Sequence, residues 1–128
     1  MSDANVKILV VDDSALSRRM MRRILEDAGY AVIEESHGAA AIERYASEQP
    51  ALVMLDLIMT GMYGLEVLVA LRRIDPVARV IIASADLQRA TRDEVKSAGA
   101  SGFVAKPFQA EDVVRAVEAV LPGGTAWT

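Results

Sequence analysis

Val6-Lys7-Ile8-Leu9-Val10-Val11-Asp12-Asp13-Ser14 begins as a β-branched, apolar run and stops abruptly on two acids and a serine. The run is too short for a helix and too continuously apolar for a strand with one wet face, so it reads as a doubly covered strand. The next stretch of chain has a different period. Leu16, Met20, Ile24 and Ala28 fall near one face of a helix that Ser14 can cap and Gly29 can end in the left-handed conformation. One strand followed by one helix is the unit, and the rest of the chain repeats it.

Residues 31–35, 52–56, 80–84 and 102–106 read as four more strands, with ends near 11, 35, 56, 84 and 106 in all. The steps of 24, 21, 28 and 22 residues suit a strand, a crossover helix and two short loops. Further helices are expected over about 39–49, closed by Pro50, 64–74, closed by Asp75-Pro76, 87–98, and 111–121, closed by Pro122-Gly-Gly. The fourth carries Gln88, Arg89, Arg92, Asp93, Glu94 and Lys96 with few large apolar side chains, so burial should hold it loosely and leave it mobile. Alternation of this kind predicts an α/β fold with a five-stranded parallel sheet and five helices on both faces. The flavodoxin-like order 2-1-3-4-5 is the common solution, with the more polar Tyr30-Ala-Val-Ile-Glu-Glu35 at an edge.

The 128 residues read as one domain, with its core over about 6–121 and a frayed, flexible tail over 122–128. A hydrophobic share of 52% supplies a core without staples, and the absence of cysteine excludes disulfides and thiolate chemistry. With 14 Lys+Arg against 18 Asp+Glu, the formal charge of −4 argues against a nucleic-acid partner. The polar start is no signal peptide and the apolar runs are far below a bilayer span, so a soluble, cytoplasmic protein without membrane insertion is expected. A second, output domain is not expected at this length.

In a parallel sheet every strand C-terminus opens on one edge, where ligands bind. The polar interruptions sit there: Asp12 and Asp13 after strand one, Asp56 ending strand three, Ser84 ending strand four and Lys106 ending strand five. Taken singly they are ambiguous. The Asp pair can be a helix cap and dipole partner, Lys106 a snorkelling lysine and Ser84 a turn residue. Asp56, after Ala-Leu-Val-Met-Leu, is harder to dismiss, because a partly buried carboxylate needs a cation or several donors to stay ionised. The chain uses 11 arginines and only three lysines, which makes a compact ammonium at a strand end look chosen.

Three carboxylates with no histidine or cysteine among them suit a hard, oxygen-preferring cation, Mg²⁺ best of all. Such an ion would let an anionic phosphoryl group approach Asp56, which could attack phosphorus as a nucleophile and form an aspartyl phosphate. Lys106 and the Ser84 hydroxyl would then hold phosphoryl oxygens.

Ile-Leu-Val-Val-Asp12-Asp13-Ser, Leu-Val-Met-Leu-Asp56-Leu-Ile-Met-Thr-Gly-Met-Tyr-Gly64, Val-Ile-Ile-Ala-Ser84-Ala and Gly-Phe103-Val-Ala-Lys106-Pro107-Phe together resemble a response-regulator receiver domain of the stand-alone, CheY-like kind, over about residues 6–121. The resemblance implies a two-component phosphorelay protein, a signalling phosphoacceptor rather than an enzyme in its own right. Asp56 would be phosphorylated by a phosphohistidine on a histidine kinase or histidine phosphotransfer protein. Asp12, Asp13, Asp56 and the Ile58 backbone carbonyl would serve Mg²⁺, and Lys106 would contact the phosphoryl group. The Lys106–Pro107 peptide would be cis, and Ser84 with Phe103 would form a switch acting on the surface of helix four, strand five and helix five. A protein target binding that surface, and a monomer or weak dimer, complete the expectation.

The sequence departs from the family at Thr60, where Pro is common, and at Tyr63, where an acid is common. These changes imply a less rigid loop and a third helix without its usual cap, with no phosphate ligand touched. Ile58 replaces an often polar side chain and cannot orient a hydrolytic water, which implies slow self-dephosphorylation unless Asp86 compensates. Arg18, Arg19, Arg22 and Arg23 are either a solvated face or a docking site for an acidic phosphodonor, and His37 reads as a surface loop residue. Other readings are a flavin mononucleotide site, which Asp12-Asp13 opposes, an aspartate-nucleophile phosphatase of the haloacid-dehalogenase type, which Ile58 opposes, a phosphorylation-independent adaptor and a phosphate shuttle.

Overall fold

A computed structural model describes residues 6–127; the expectations for residues 1–5 and for Thr128 lie outside them. The elements run β1 (Lys7–Val11), α1 (Ala15–Asp27), β2 (Ala31–Glu35), α2 (Gly38–Glu48), β3 (Leu52–Asp56), α3 (Gly64–Ile74), β4 (Val80–Ser84), α4 (Arg89–Ser97), β5 (Gly102–Ala105) and α5 (Ala110–Val120). All pairings are parallel, and the strand order is β2-β1-β3-β4-β5, so the flavodoxin-like arrangement holds. Boundaries differ from the sequence reading by one or two residues, chiefly at α4, which starts at Arg89 because Asp86 folds the loop ahead of it.

Alternate residues of each strand feed two cores. Leu9, Val11, Val53, Leu55, Val80 and Ile82 pack with α2, α3 and α4; Ile8, Val10, Leu52, Met54 and Ile81 pack with α1 and α5. β3 and β4 are buried at every position, as strands covered on both faces must be. β2 lies at the edge, where Glu34 receives Arg18 and Arg22 from α1. α1 is capped by Ser14, whose Oγ accepts from the Ser17 N–H at 3.2 Å, and anchored by Met21 and Leu25. α4 contributes one buried side chain, Val95, in keeping with its polar sequence.

α3 has no side-chain cap at Tyr63, as expected; instead the Glu66 carboxylate reaches back to accept the Tyr63 N–H at 3.3 Å. One expectation fails. The tail is not a frayed end: residues 123–127 turn back and lay Ala126 beside Gly102 as a parallel bridge on the outer edge of β5. No helix among the described residues is long and apolar enough to cross a membrane.

Candidate functional site

The carboxyl ends of β1 and β3 are neighbours, so Asp12, Asp13 and Asp56 converge although 43 residues separate the second from the third. One oxygen from each lies within 4.8 Å of the others. Asp12 and Asp56 are 4% and 6% exposed, while Asp13 stands at the rim. Burial of the carboxylate next to Asp12 pushes Asp56 up to about 6, against the smaller, opposing pull of Lys106. The cluster is thus short of positive charge, and its donors are all oxygen, which fits a hard divalent cation and no soft one.

Lys106 is the one cation directed into the cluster among the described residues. Its Nζ donates to Asp12 Oδ2 at 2.8 Å and lies 3.5 Å from Asp56 Oδ1. It does not snorkel to solvent, and the Lys106–Pro107 peptide beside it is cis. The other oxygen of Asp12 accepts from the Ser14 N–H at 2.9 Å, so the cap reading of the Asp pair is half right: Asp12 closes the β1–α1 turn with one oxygen and faces the site with the other. Arg18 fixes the same turn by donating to the Asp12 carbonyl at 2.7 Å.

The loop after β3 is drawn tightly over the site. The Gly64 N–H donates to the Leu57 carbonyl at 2.7 Å, and a Cβ on Gly64 would collide with the Asp56 carbonyl oxygen, so only glycine permits this return. Thr60 then donates its N–H to Asp13 Oδ2 at 2.9 Å and its hydroxyl at 3.2 Å. The Thr60 N–H holds the Asp13 carboxyl below the usual carboxylate range. A proline here could make neither bond. The departure at position 60 therefore reaches the acidic cluster, which the sequence reading missed; a donor-bearing residue replacing a donorless one was the signal. No described group donates to the Ile58 carbonyl, and the Ile58 side chain is 67% exposed beside the cluster.

Ser84 and Phe103 lie on the neighbouring strands. Ser84, 1% exposed, uses its Oγ to accept the Asp86 N–H at 3.0 Å. Asp86 spends both carboxylate oxygens on the start of α4, accepting from the Gln88 N–H at 3.0 Å and the Thr91 hydroxyl at 2.7 Å. These two bonds tie Asp86 to the start of α4. Phe103 is buried against the core, with the Arg92 guanidinium 4.9 Å above its ring. Neither Arg92 nor the returning tail was anticipated at this position from the sequence.

The four α1 arginines divide. Arg18 and Arg22 pair with Glu34, and Arg22 also with Glu26; Arg19 and Arg23 make no ion pair among the described residues. The charge-balanced face and the docking reading thus keep two residues each. His37 is exposed ahead of α2.

Comparison with known proteins gives the family. Residues 8–118 match the response regulator receiver domain family. The chemotaxis protein CheY of Thermotoga maritima is 39% identical over 115 residues, covering 89% of this chain and 96% of that protein. The sporulation initiation phosphotransferase F of Bacillus subtilis is 36% identical over 118 residues, covering 92% and 95%. Among solved structures, a LuxR-family two-component response regulator from Aurantimonas superposes with a TM-score of 0.89 at 34% identity, covering 94% of this chain and 87% of that one. A chain of the CheX–CheY–BeF₃–Mg²⁺ complex of Borrelia burgdorferi superposes at 0.86 with 28% identity, covering 89% and 87%. With the family model matched over residues 8–118 and relatives of this kind similar in sequence and fold along nearly the whole chain, the protein belongs to the response regulator receiver domain family, in its CheY-like form.

Proposed function

We propose that this receiver domain takes a phosphoryl group onto Asp56 from a phosphohistidine on a histidine kinase or phosphotransfer protein, and that the modified form presents an altered α4–β5–α5 face to a protein target. The observation that carries this reading is the convergence of Asp12, Asp13 and Asp56 at one sheet edge, with the Lys106 ammonium between Asp12 and Asp56. An Asp56 carboxylate oxygen bonds to phosphorus while the P–N bond to the donor imidazole breaks, and the imidazole nitrogen keeps the electron pair. Lys106, already between Asp12 and Asp56, is placed to neutralise a phosphoryl oxygen. Asp12, Asp13, Asp56 and the Ile58 carbonyl would hold Mg²⁺, which supplies the positive charge that lets two anions meet.

The Ser84 hydroxyl links chemistry to surface. It holds the Asp86 N–H, and Asp86 bonds Gln88 and Thr91 at the start of α4, so turning the hydroxyl toward a phosphoryl oxygen gives up a bond that orders that start. A helix with one buried anchor is easily moved by such a loss. On the donor side, Arg19 and Arg23, with the exposed Leu16 and Met20, offer α1 to a partly apolar, acidic surface.

Incubation with acetyl phosphate and Mg²⁺ followed by intact mass measurement tests the reading. Acetate leaves as the Asp56 oxygen takes the phosphoryl group, and the expected result is one added phosphate that Asp56→Asn abolishes. No gain, or a gain that survives the substitution, overturns it. CheY-type and phosphotransferase-type relatives match almost equally well, so passing the phosphoryl group onward is a second use of the same site.

A further inference from the structure

Past α5 the chain is shaped to return. Gly123 adopts φ +108°, and its N–H donates to the Val120 carbonyl at 2.9 Å. The Gly124 N–H donates to the Ala119 carbonyl at 3.1 Å, and a Cβ on Gly124 would meet that carbonyl oxygen at 2.5 Å. Two glycines thus reverse the chain toward β5. There the Ala126 N–H donates to the Ser101 carbonyl at 2.9 Å and the Phe103 N–H donates to the Ala126 carbonyl at 3.2 Å. The seat is cut to fit: a Cβ on Gly102 would stand 2.8 Å from the Ala126 Cβ. Three glycines and two backbone hydrogen bonds make this more than an end that happens to lie nearby.

The segment covers the responsive part of the molecule. β5 is an edge strand, and an unpaired edge is a template for another strand. Trp127 packs onto the core cluster that contains Phe103, with the Lys96 ammonium of α4 5.5 Å from its ring. Arg92, also from α4, lies over Phe103 with its Nε buried and without an acceptor, an arrangement that costs free energy and so favours rearrangement. Phe103 is therefore held through its backbone by the tail and through its ring by α4.

We propose that residues 124–127 form a strap that closes the β5 edge in cis and holds Phe103 buried, so that the α4–β5–α5 face becomes available only as the strap lifts. The coupling to phosphorylation rests on the reading of Asp56 as the phosphoacceptor. The strap and any partner that adds a strand along β5 are mutually exclusive, because both need the Phe103 N–H and the Ser101 carbonyl.

Trp127 is the only tryptophan, so iodide quenching of its emission reports the strap in the intact chain. In the resting protein Trp127, partly buried, should be less accessible to iodide than in the urea-unfolded chain. Adding acetyl phosphate and Mg²⁺ should raise its quenching in proportion to the phosphate gained by mass. Ala126→Pro removes the N–H given to Ser101 without touching the sheet. It should expose Trp127 in the resting state and raise the affinity for beryllofluoride with Mg²⁺, a phosphoryl mimic, by about fivefold, the low end of ordinary coupling between sites. Gly102→Ala, which crowds the seat from the other side, should do the same. Full phosphate gain with unchanged Trp127 quenching overturns the coupling alone. Absence of any phosphate gain overturns the Asp56 reading and the coupling with it. Trp127 quenched as readily in the resting wild type as in the unfolded chain, or quenched to the same extent in Ala126→Pro and Gly102→Ala as in the wild type, overturns the strap itself.

Discussion

The two halves of the sheet's carboxyl edge are built differently. On the β1–β3 side, Asp12 is held by Ser14 and Lys106 and Asp13 by Thr60, over an α1 anchored by Met21 and Leu25. On the β4–β5 side, the switch candidates Ser84 and Phe103 lie beneath an α4 with one buried anchor, side-chain bonds to Asp86 at its start and a covering tail. The first half is fixed by charge-assisted hydrogen bonds, which suit a site that must present oxygens in one geometry. The second is held by few and replaceable contacts, which suit the switching role proposed for that surface.

Four sets of measurements bear on that contrast. The largest effect is expected at Asp56. Asp56→Asn should lose phosphorylation entirely, and in metal-free buffer it should stabilise the fold. The folded protein holds the Asp56 proton up to about 6, against 3.8 for an ordinary aspartate, so the favourable contribution of the protonated form is complete below 3.8 and lost as pH rises through 6. An asparagine never loses it. Urea unfolding in chelator should show a gain of roughly 2 kcal/mol at neutral pH that vanishes near pH 4. A variant no more stable than wild type at neutral pH would show that the acidic half carries no stored repulsion.

Anchoring should show next. Leu25→Ala in α1 and Val95→Ala in α4 each remove a fully buried side chain, at about 3 and 2 kcal/mol. Native-state hydrogen exchange should show α1 opening only with the whole molecule, whereas Val95→Ala should free the α4 amides at a lower cost than global unfolding. Equal protection of both helices would erase the contrast. Ile58→Asn should shorten the lifetime of the phosphorylated form by about tenfold, equivalent to about 1.4 kcal/mol of barrier, since the isoleucine side chain has no group to orient water there. Asp86→Ala should leave that lifetime unchanged while weakening α4 by about 1 kcal/mol, because its oxygens serve Gln88 and Thr91. The smallest effect is expected for Thr60→Pro: calorimetry should show Mg²⁺ affinity changed by a factor of about three, as Asp13 is released from its two donors. Unchanged affinity would mean that Thr60 merely closes the loop.

The five strands and five helices were legible because short apolar runs and a 3.6-residue period repeated at nearly constant spacing, which leaves a parallel sheet few alternatives. The acidic cluster was legible for a related reason: in such a sheet any polar residue that ends a strand is delivered to one edge. Glu66 as a cap, Asp86 as the α4 anchor and Thr60 as a donor to Asp13 were less visible. Each depends on which way a loop turns, and a side chain's spacing does not state that.

The pattern of residues was thus enough for the fold, the site edge and the side chains that populate it, since periodicity and burial act through local repeats that add up along the sequence. The route of the last residues was settled only in three dimensions. Pro122-Gly123-Gly124 marks a helix end in any context; that Ala126 then finds a place beside Gly102 depends on a gap left by a glycine some 24 positions earlier. A missing side chain leaves no mark in a hydrophobic pattern, and its meaning appears only when the folded chain brings another backbone close enough to need the space.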